Sequence, residues 1–443
     1  MRLRIQDTLF KMLTSIKSLL KKENNPTNST IGFFRDSLVL ASGTVLAQLI
    51  PLIAYPFLTR LYSPYDFGVF ATVSSITVIL SVVASGQYQS VILITDTDRN
   101  AVNLFWLVVF ISTFSLLMIE TVFLLSSDLI ASFFGNPSLR LWVLLSPPTA
   151  FLIIVYASIN EWFLKKKYLV SLSANRVINS SSTSILKVIY GNLKILNGGL
   201  ILGELLGRVI TASVISVIAL RKHPKEYFIP NYKEMKSLAY RFISVPKYIL
   251  PGQLMNSVGG EIPVLIMATV YDSTKIGFFT MAIYVLILPA RLISLAVRDT
   301  FRKQAIDIFQ KTGECYTFYK KILSVTAGIS FTGFSVFFII APRMFSYVLG
   351  DEWVTAGEYA RILVPIVAIS FVSEIGSPMF IIAEKMRRLL LWQIINIALT
   401  ITSIIIGILF YKDIRMTLLC FTIGRSIAHF TSIIMTIRIA RGK

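Results

Sequence analysis

The sequence predicts an all-α integral membrane protein of twelve transmembrane helices in two six-helix lobes related by a parallel repeat. Three observations carry this. The 443-residue chain is 55% hydrophobic and only 15% charged, with mean hydropathy +0.71. That is more apolar surface than a soluble domain hides. The apolar residues fall into segments long enough to cross ~30 Å of hydrocarbon, which takes about 20 helical residues. The third observation is that a stretch after the first such segment returns in the second half.

Residues 1–36 come first. Ile5, Leu9, Met12, Ile16, Leu19 and Leu20 recur at helical spacing among Lys11, Lys17, Lys21 and Lys22. This predicts a basic amphipathic helix lying on an anionic membrane surface. Arg2, Arg4, Lys11 and Lys17 interrupt any apolar run there, so the pattern is not that of a cleavable signal. Six spans follow cleanly from apolar length: 37–58, 67–95, 100–119, 141–160, 322–342 and 389–411. Six more follow if one or two charges are admitted: 177–193, 195–220, 248–271, 276–297, 362–383 and 416–437. The 177–193 span is the weakest, being short and serine-rich with Lys187 inside it. The domains read as an N-lobe over 37–220, a basic cytoplasmic linker over 221–247, and a C-lobe over 248–443.

Charge sets the orientation. Thirty-one of the 43 Lys and Arg residues fall on the side that holds both termini, and eight on the other. Both termini are therefore expected in the cytoplasm. The net charge of +20 then faces an inner leaflet, and no nucleic-acid partner is needed to explain it. Cys315 and Cys420 make neither a disulfide framework nor a metal cluster.

The repeat is explicit. In "RLYSPYDFGVF" (60–70), Tyr62, Gly68 and Phe70 fall on Tyr271, Gly277 and Phe279 of "TVYDSTKIGFF" (269–279) at one constant offset. The next outer loops also correspond. "LIASFFGNPSLRLWVLLSP" leads into helix 4 and "MFSYVLGDEWVTAGEYARILVP" into helix 10, with Gly135 on Gly350 and Pro147 on Pro365. Six helices thus recur in order and orientation, as halves related by an axis along the membrane normal do.

"LTRLYSPYDFGVFA", "LGDEWVTAGEYARILVP" and the twelve-helix, two-half plan resemble the Wzx-type polysaccharide flippases. Their superfamily also contains the multidrug and toxin extrusion (MATE) transporters. The resemblance covers the chain from about Ser37 onward and leaves the basic N-terminal segment aside. It implies a MATE-like V shape working by alternating access. It also implies a transporter, not an enzyme, in the bacterial cytoplasmic (inner) membrane. The implied substrate is an undecaprenyl-pyrophosphate-linked oligosaccharide repeat unit of O-antigen, capsule or exopolysaccharide, moved from the inner to the outer leaflet. Implied partners are membrane lipid and the polysaccharide polymerase and chain-length proteins.

Seven charged residues lie within the spans: Lys187, Glu204, Arg208, Glu261, Arg291, Glu374 and Arg425. Each costs ~2.5–3.5 kcal/mol at a bilayer centre on insertion scales. They are therefore expected to face one another or a wet cavity. Arginine suits a pyrophosphate because its planar fork bonds two oxygens at once. Arg291 and Arg425, then Lys187 and Arg208, are the expected head-group contacts. None is carried over from a family motif. Glu204 and Arg208 are also spaced as a pair on one helix face. Glu261 and Glu374, with no basic residue within a turn, are the expected proton- or sodium-coupling groups. His429 reads as a packed histidine. Gly259, Gly260 and Pro263 beside Glu261 suggest a bend in helix 7 that works as a lateral gate.

Two other functions compete. A cation-coupled drug or metabolite exporter of the same superfamily favours an acidic cavity, whereas the mid-span charges are four basic and three acidic. A polysaccharide polymerase or ligase needs catalytic outer loops. The outer loops hold Asp128, Asp351, Glu352 and Glu358 without histidine, and the sequence shows no nucleotide loop or nucleophile elbow. No cofactor or metal is expected.

Overall fold

The computed structural model of the protein describes residues 30–194, 198–222 and 229–442. The expected amphipathic helix lies, for residues 1–29, outside them. Twelve long helices occur among the described residues. The first six are α1 (Thr30–Leu61), α2 (Pro64–Ala84), α3 (Asp98–Phe133), α4 (Ser146–Lys165), α5 (Leu169–Asn192) and α6 (Gly199–Lys222). The second six are α7 (Leu250–Ala268), α8 (Ser273–Thr312), α9 (Tyr316–Leu349), α10 (Val354–Gly376), α11 (Met386–Tyr411) and α12 (Ile414–Ala440). Every expected span overlaps one of them, though several run past its ends. Among the described residues, ten candidate membrane spans are long and apolar enough to cross a bilayer, and the more polar α5 and α7 are not among them.

The boundaries differ where backbone chemistry overrides hydropathy. The apolar run expected to 95 breaks after Ala84, because Gly86 and Gln87 adopt left-handed φ of 55° and 58°. In contrast, α3 continues to Phe133 through what reads as an outer loop, and it ends just before Gly135 at φ 59°. Arg176, counted with a cytoplasmic loop, lies inside α5 and hydrogen-bonds Thr44 of α1. The serines of α5 do similar work. Ser173 donates to the Val39 carbonyl (2.8 Å) and Ser180 to that of Ala47 (2.6 Å), so polar residues hold α5 to α1.

Packing repeats with the sequence. α1 lies on α5, α2 on α4, α3 on α4, α4 on α6 and α5 on α6. The same five pairings recur six helices later, as α7–α11, α8–α10, α9–α10, α10–α12 and α11–α12. The halves meet mainly through α2 against α7 and α8.

The two ends of the bundle differ. At the end where α1 turns into α2 and α7 into α8, one core is shared between halves: Leu58, Tyr62 and Phe67 pack with Met267, Phe345 and Trp353. At the opposite, basic end each half keeps its own core. Ile92, Leu104 and Phe163 belong to the first half, and Phe301, Tyr319 and Phe380 to the second. The halves therefore diverge toward the basic end, giving a V.

A linker helix, Tyr232–Arg241, lies at the basic end. Its Met235 and Leu238 are buried in the first-half core. Glu234 accepts from Arg99 (3.0 Å), and Arg241 pairs with Asp96 (2.8 Å). The linker is thereby fastened to the first half.

Candidate functional site

A cavity of ≈ 390 Å³ lies between the halves, walled by α1, α2, α4, α5 and α6 and faced by Tyr284 and Leu288 of α8. Its charged lining is Lys187, Glu204 and Arg208. Glu204 of α6 receives Lys187 Nζ from α5 at 2.6 Å and Arg208 Nε from its own helix at 2.7 Å. The Lys187 ammonium also stands 4.4 Å from the Phe70 ring centroid. Close helix packing makes this possible, since Gly203 lies against the Lys187 backbone and Gly207 against that of Thr183. Two cations on one carboxylate leave a net charge of +1. The other polar walls are amides and hydroxyls, including Gln48, Ser74, Thr77 and Asn179. The buried amide oxygens of Gln48 and Asn179 have no hydrogen-bond partner among the described residues.

The segments that carry the family resemblance meet over one end of this cavity. Trp353 packs edge-on to Phe67 and Phe278, with ring centroids 5.1 and 5.9 Å apart, and its indole N–H donates to the Thr59 carbonyl at 3.2 Å. Tyr62 donates its hydroxyl to the Lys187 carbonyl at 2.7 Å, which ties the closure to the triad. Burial raises the Tyr62 pKa, so the hydroxyl stays a donor. At the start of α8, Asp272 caps the helix by accepting from the Lys275 N–H at 3.0 Å. Burial works to raise its pKa, but the Lys275 bonds and charge outweigh that and hold it below its ordinary value.

The six expected site residues do not form one cluster. Lys187 and Arg208 are in the cavity with Glu204. Arg291 is exposed on α8, in register with Tyr284 and Leu288 but nearer the basic end. Glu261 accepts from Ser75 Oγ of α2 at 2.7 Å, a bond between the halves. Glu374 of α10 accepts from Ser294 of α8 at 3.3 Å, and its charge acts on Arg425 of α12 without a direct ion pair. Arg425 lies 5.7 Å from the Phe421 ring centroid. His429 is buried beside Trp392, as a packed histidine is.

The repeat also relates two of these residues. Gly207–Arg208 on α6 and Gly424–Arg425 on α12 occupy corresponding places. Gly207 packs on α5 and Gly424 on α11, against Thr183 and Ser403. This Gly–Arg recurrence is visible in the sequence, and it singles out Arg425 as the counterpart of a cavity arginine. Span counting alone does not reveal it.

These features define a multi-pass, all-helical membrane protein with two repeated halves closed at one end over a cationic cleft. A family model described as polysaccharide biosynthesis protein matches residues 57–358, and the chain belongs to that family. Solved structures share the fold. Lipid II flippase MurJ in an inward closed conformation matches with a TM-score of 0.68 at 12% identity, covering 92% of this chain and 90% of that one. A multidrug resistance MATE family transporter of the MOP superfamily, inward-facing, matches at 0.64 and 14% identity, covering 92% and 95%. A MOP superfamily transporter from Pyrococcus furiosus matches at 0.59 and 16% identity, covering 92% and 95%. No match is found among curated protein sequences.

Proposed function

We propose that the protein is a flippase for lipid-linked oligosaccharides. It moves an undecaprenyl-pyrophosphate-linked repeat unit from the cytoplasmic to the outer leaflet of a bacterial inner membrane. Residues 37–220 and 248–443 act as two lobes, joined by the 221–247 linker. The observation that carries this reading is the Lys187–Glu204–Arg208 triad in the cavity between the halves. A net positive charge in a half-buried cleft attracts a pyrophosphate and repels a cationic drug. The hydroxyl and amide walls suit sugar hydroxyls, and an unpartnered buried amide oxygen, worth ~1–3 kcal/mol, gains a donor there.

With the basic end in the cytoplasm, the shared core lies outside and the V opens inward. The head group enters from the cytoplasm while its polyprenyl tail stays in the bilayer. Lys187 and Arg208 hold the pyrophosphate, and Arg291 stands on the same α8 face nearer the entrance. Arg425 serves the opposite lobe. Opening to the outside requires the Trp353 and α2–α8 contacts to part. Glu261, bonded across the halves, and Glu374, beside Arg425, are the groups placed to couple this motion to protons or sodium.

The test is deletion of the gene in its host, complemented by the wild type or by Lys187→Ala–Arg208→Ala. The double variant is expected to reach the membrane yet leave lipid-linked units on the cytoplasmic leaflet. Surface polysaccharide at wild-type level would overturn the proposal. Normal crossing with failure of chain growth alone would point to a polymerase.

A further inference from the structure

A second cavity, ≈ 210 Å³, lies away from the cleft between the halves. Val102, Phe105 and Trp106 of α3, Ile159 and Trp162 of α4, and Ala219 of α6 form most of its wall. Its lining comes from the first half alone. α4 packs against both α3 and α6 and so forms the floor of a slot between them. α2 also packs on α4 and leads to the second half, and neither α2 nor the second half lines the slot.

Depth and charge identify what fits. Val102 and Trp106 lie four and eight residues after Asp98, the first residue of α3. At 1.5 Å per residue this places the slot roughly 6–12 Å below the basic end of the helix, where head groups give way to hydrocarbon. Above it the helix ends are basic. α4 ends at Lys165 and is followed by Lys166 and Lys167, and α6 ends in Arg221 and Lys222. Several of these are engaged: Lys166 pairs with Asp98, Lys165 donates to Thr95, and Lys222 donates to Ser171. Lys167, five residues after the lining Trp162, and Arg221, next to the lining Leu220, are exposed.

We infer that this slot binds one chain of an anionic phospholipid, whose phosphate rests on Lys167 and Arg221. An apolar slot without the cations would take any lipid, and cations alone would take any anion. Their stacking, in the order that a lipid molecule itself presents, selects an anionic amphiphile. The inference is independent of what the central cleft carries.

The probe is native mass spectrometry of the full chain released from vesicles of phosphatidylcholine with one-quarter phosphatidylglycerol. The wild type is expected to retain one phosphatidylglycerol in preference to phosphatidylcholine. Ser216→Phe fills the slot, and Lys167→Ala–Arg221→Ala removes the rim charges without touching the core. Each is expected to lower retained phosphatidylglycerol at least five-fold. Equal retention by the wild type and the rim variant would overturn the inference. So would equal retention of both lipids, or displacement of phosphatidylglycerol by stoichiometric polyprenyl phosphate.

Discussion

Phe67 and Trp353, from opposite halves of the chain, meet edge to face with ring centroids 5.1 Å apart and ring planes at 89°. Phe67 lies on α2 and Trp353 just before α10, so their contact bridges the two halves at the shared core. Trp353→Ala removes both aromatic contacts and the indole bond to Thr59. The expected cost is about 3 kcal/mol for an emptied core site. Part of it should fall on the closure itself. A thiol introduced at Phe70 is expected to react faster with an impermeant maleimide added from outside in this variant. Unchanged labelling would show that Trp353 supports folding alone.

Gly68 and Gly277 make the same contact from opposite sides. A Cβ at Gly68 would overlap the Ser273 carbonyl oxygen, and one at Gly277 would overlap that of Pro64. Backbone cannot yield as a flexible side chain can. Gly68→Ala and Gly277→Ala should therefore each drive the outer ends of α2 and α8 apart and cut export at least ten-fold, with normal membrane insertion. Wild-type export from either variant would exclude this closure from the cycle.

Within the triad, charge and stability separate. Glu204→Ala leaves two cations unneutralised in a half-buried site, at a cost on the order of 3–5 kcal/mol, and should lower Tm and expression. Lys187→Ala keeps the Glu204–Arg208 pair but cancels the net charge. That variant should fold and lose transport. Thermal melting alongside export measures the split.

Ser75→Ala removes a hydrogen bond to the Glu261 carboxylate, worth about 1.5–3 kcal/mol. The halves should separate more readily, with faster exchange between labelling states. If Glu261 couples an ion, Glu261→Gln abolishes the dependence of export on the proton or sodium gradient. A gradient dependence preserved in Glu261→Gln would remove it from that role.

The bend that the sequence suggests in α7 has a sterically mild test. A Cβ at Gly260 meets open space, and one at Gly259 comes 3.3 Å from Ile397 Cγ1. Gly259→Ala with Gly260→Ala should fold and yet slow export several-fold by stiffening the helix. Full activity would count against a gate there.

Helix positions, the doubled plan and the charge asymmetry were legible in the sequence, because each depends on residues near one another in the chain. Hydrocarbon thickness sets span length, and the recurrence of Tyr62, Gly68 and Phe70 needs only two lines of sequence. The Glu204–Arg208 pair was legible too, since helical geometry fixes residues four apart. Tertiary structure alone decided that Lys187 joins that pair, that Glu261 meets Ser75, and that Trp353 lands on Phe67. Contacts between helices depend on how each helix is rotated and where it crosses its neighbour. Those angles are set by packing along the whole helix, and no local spacing records them.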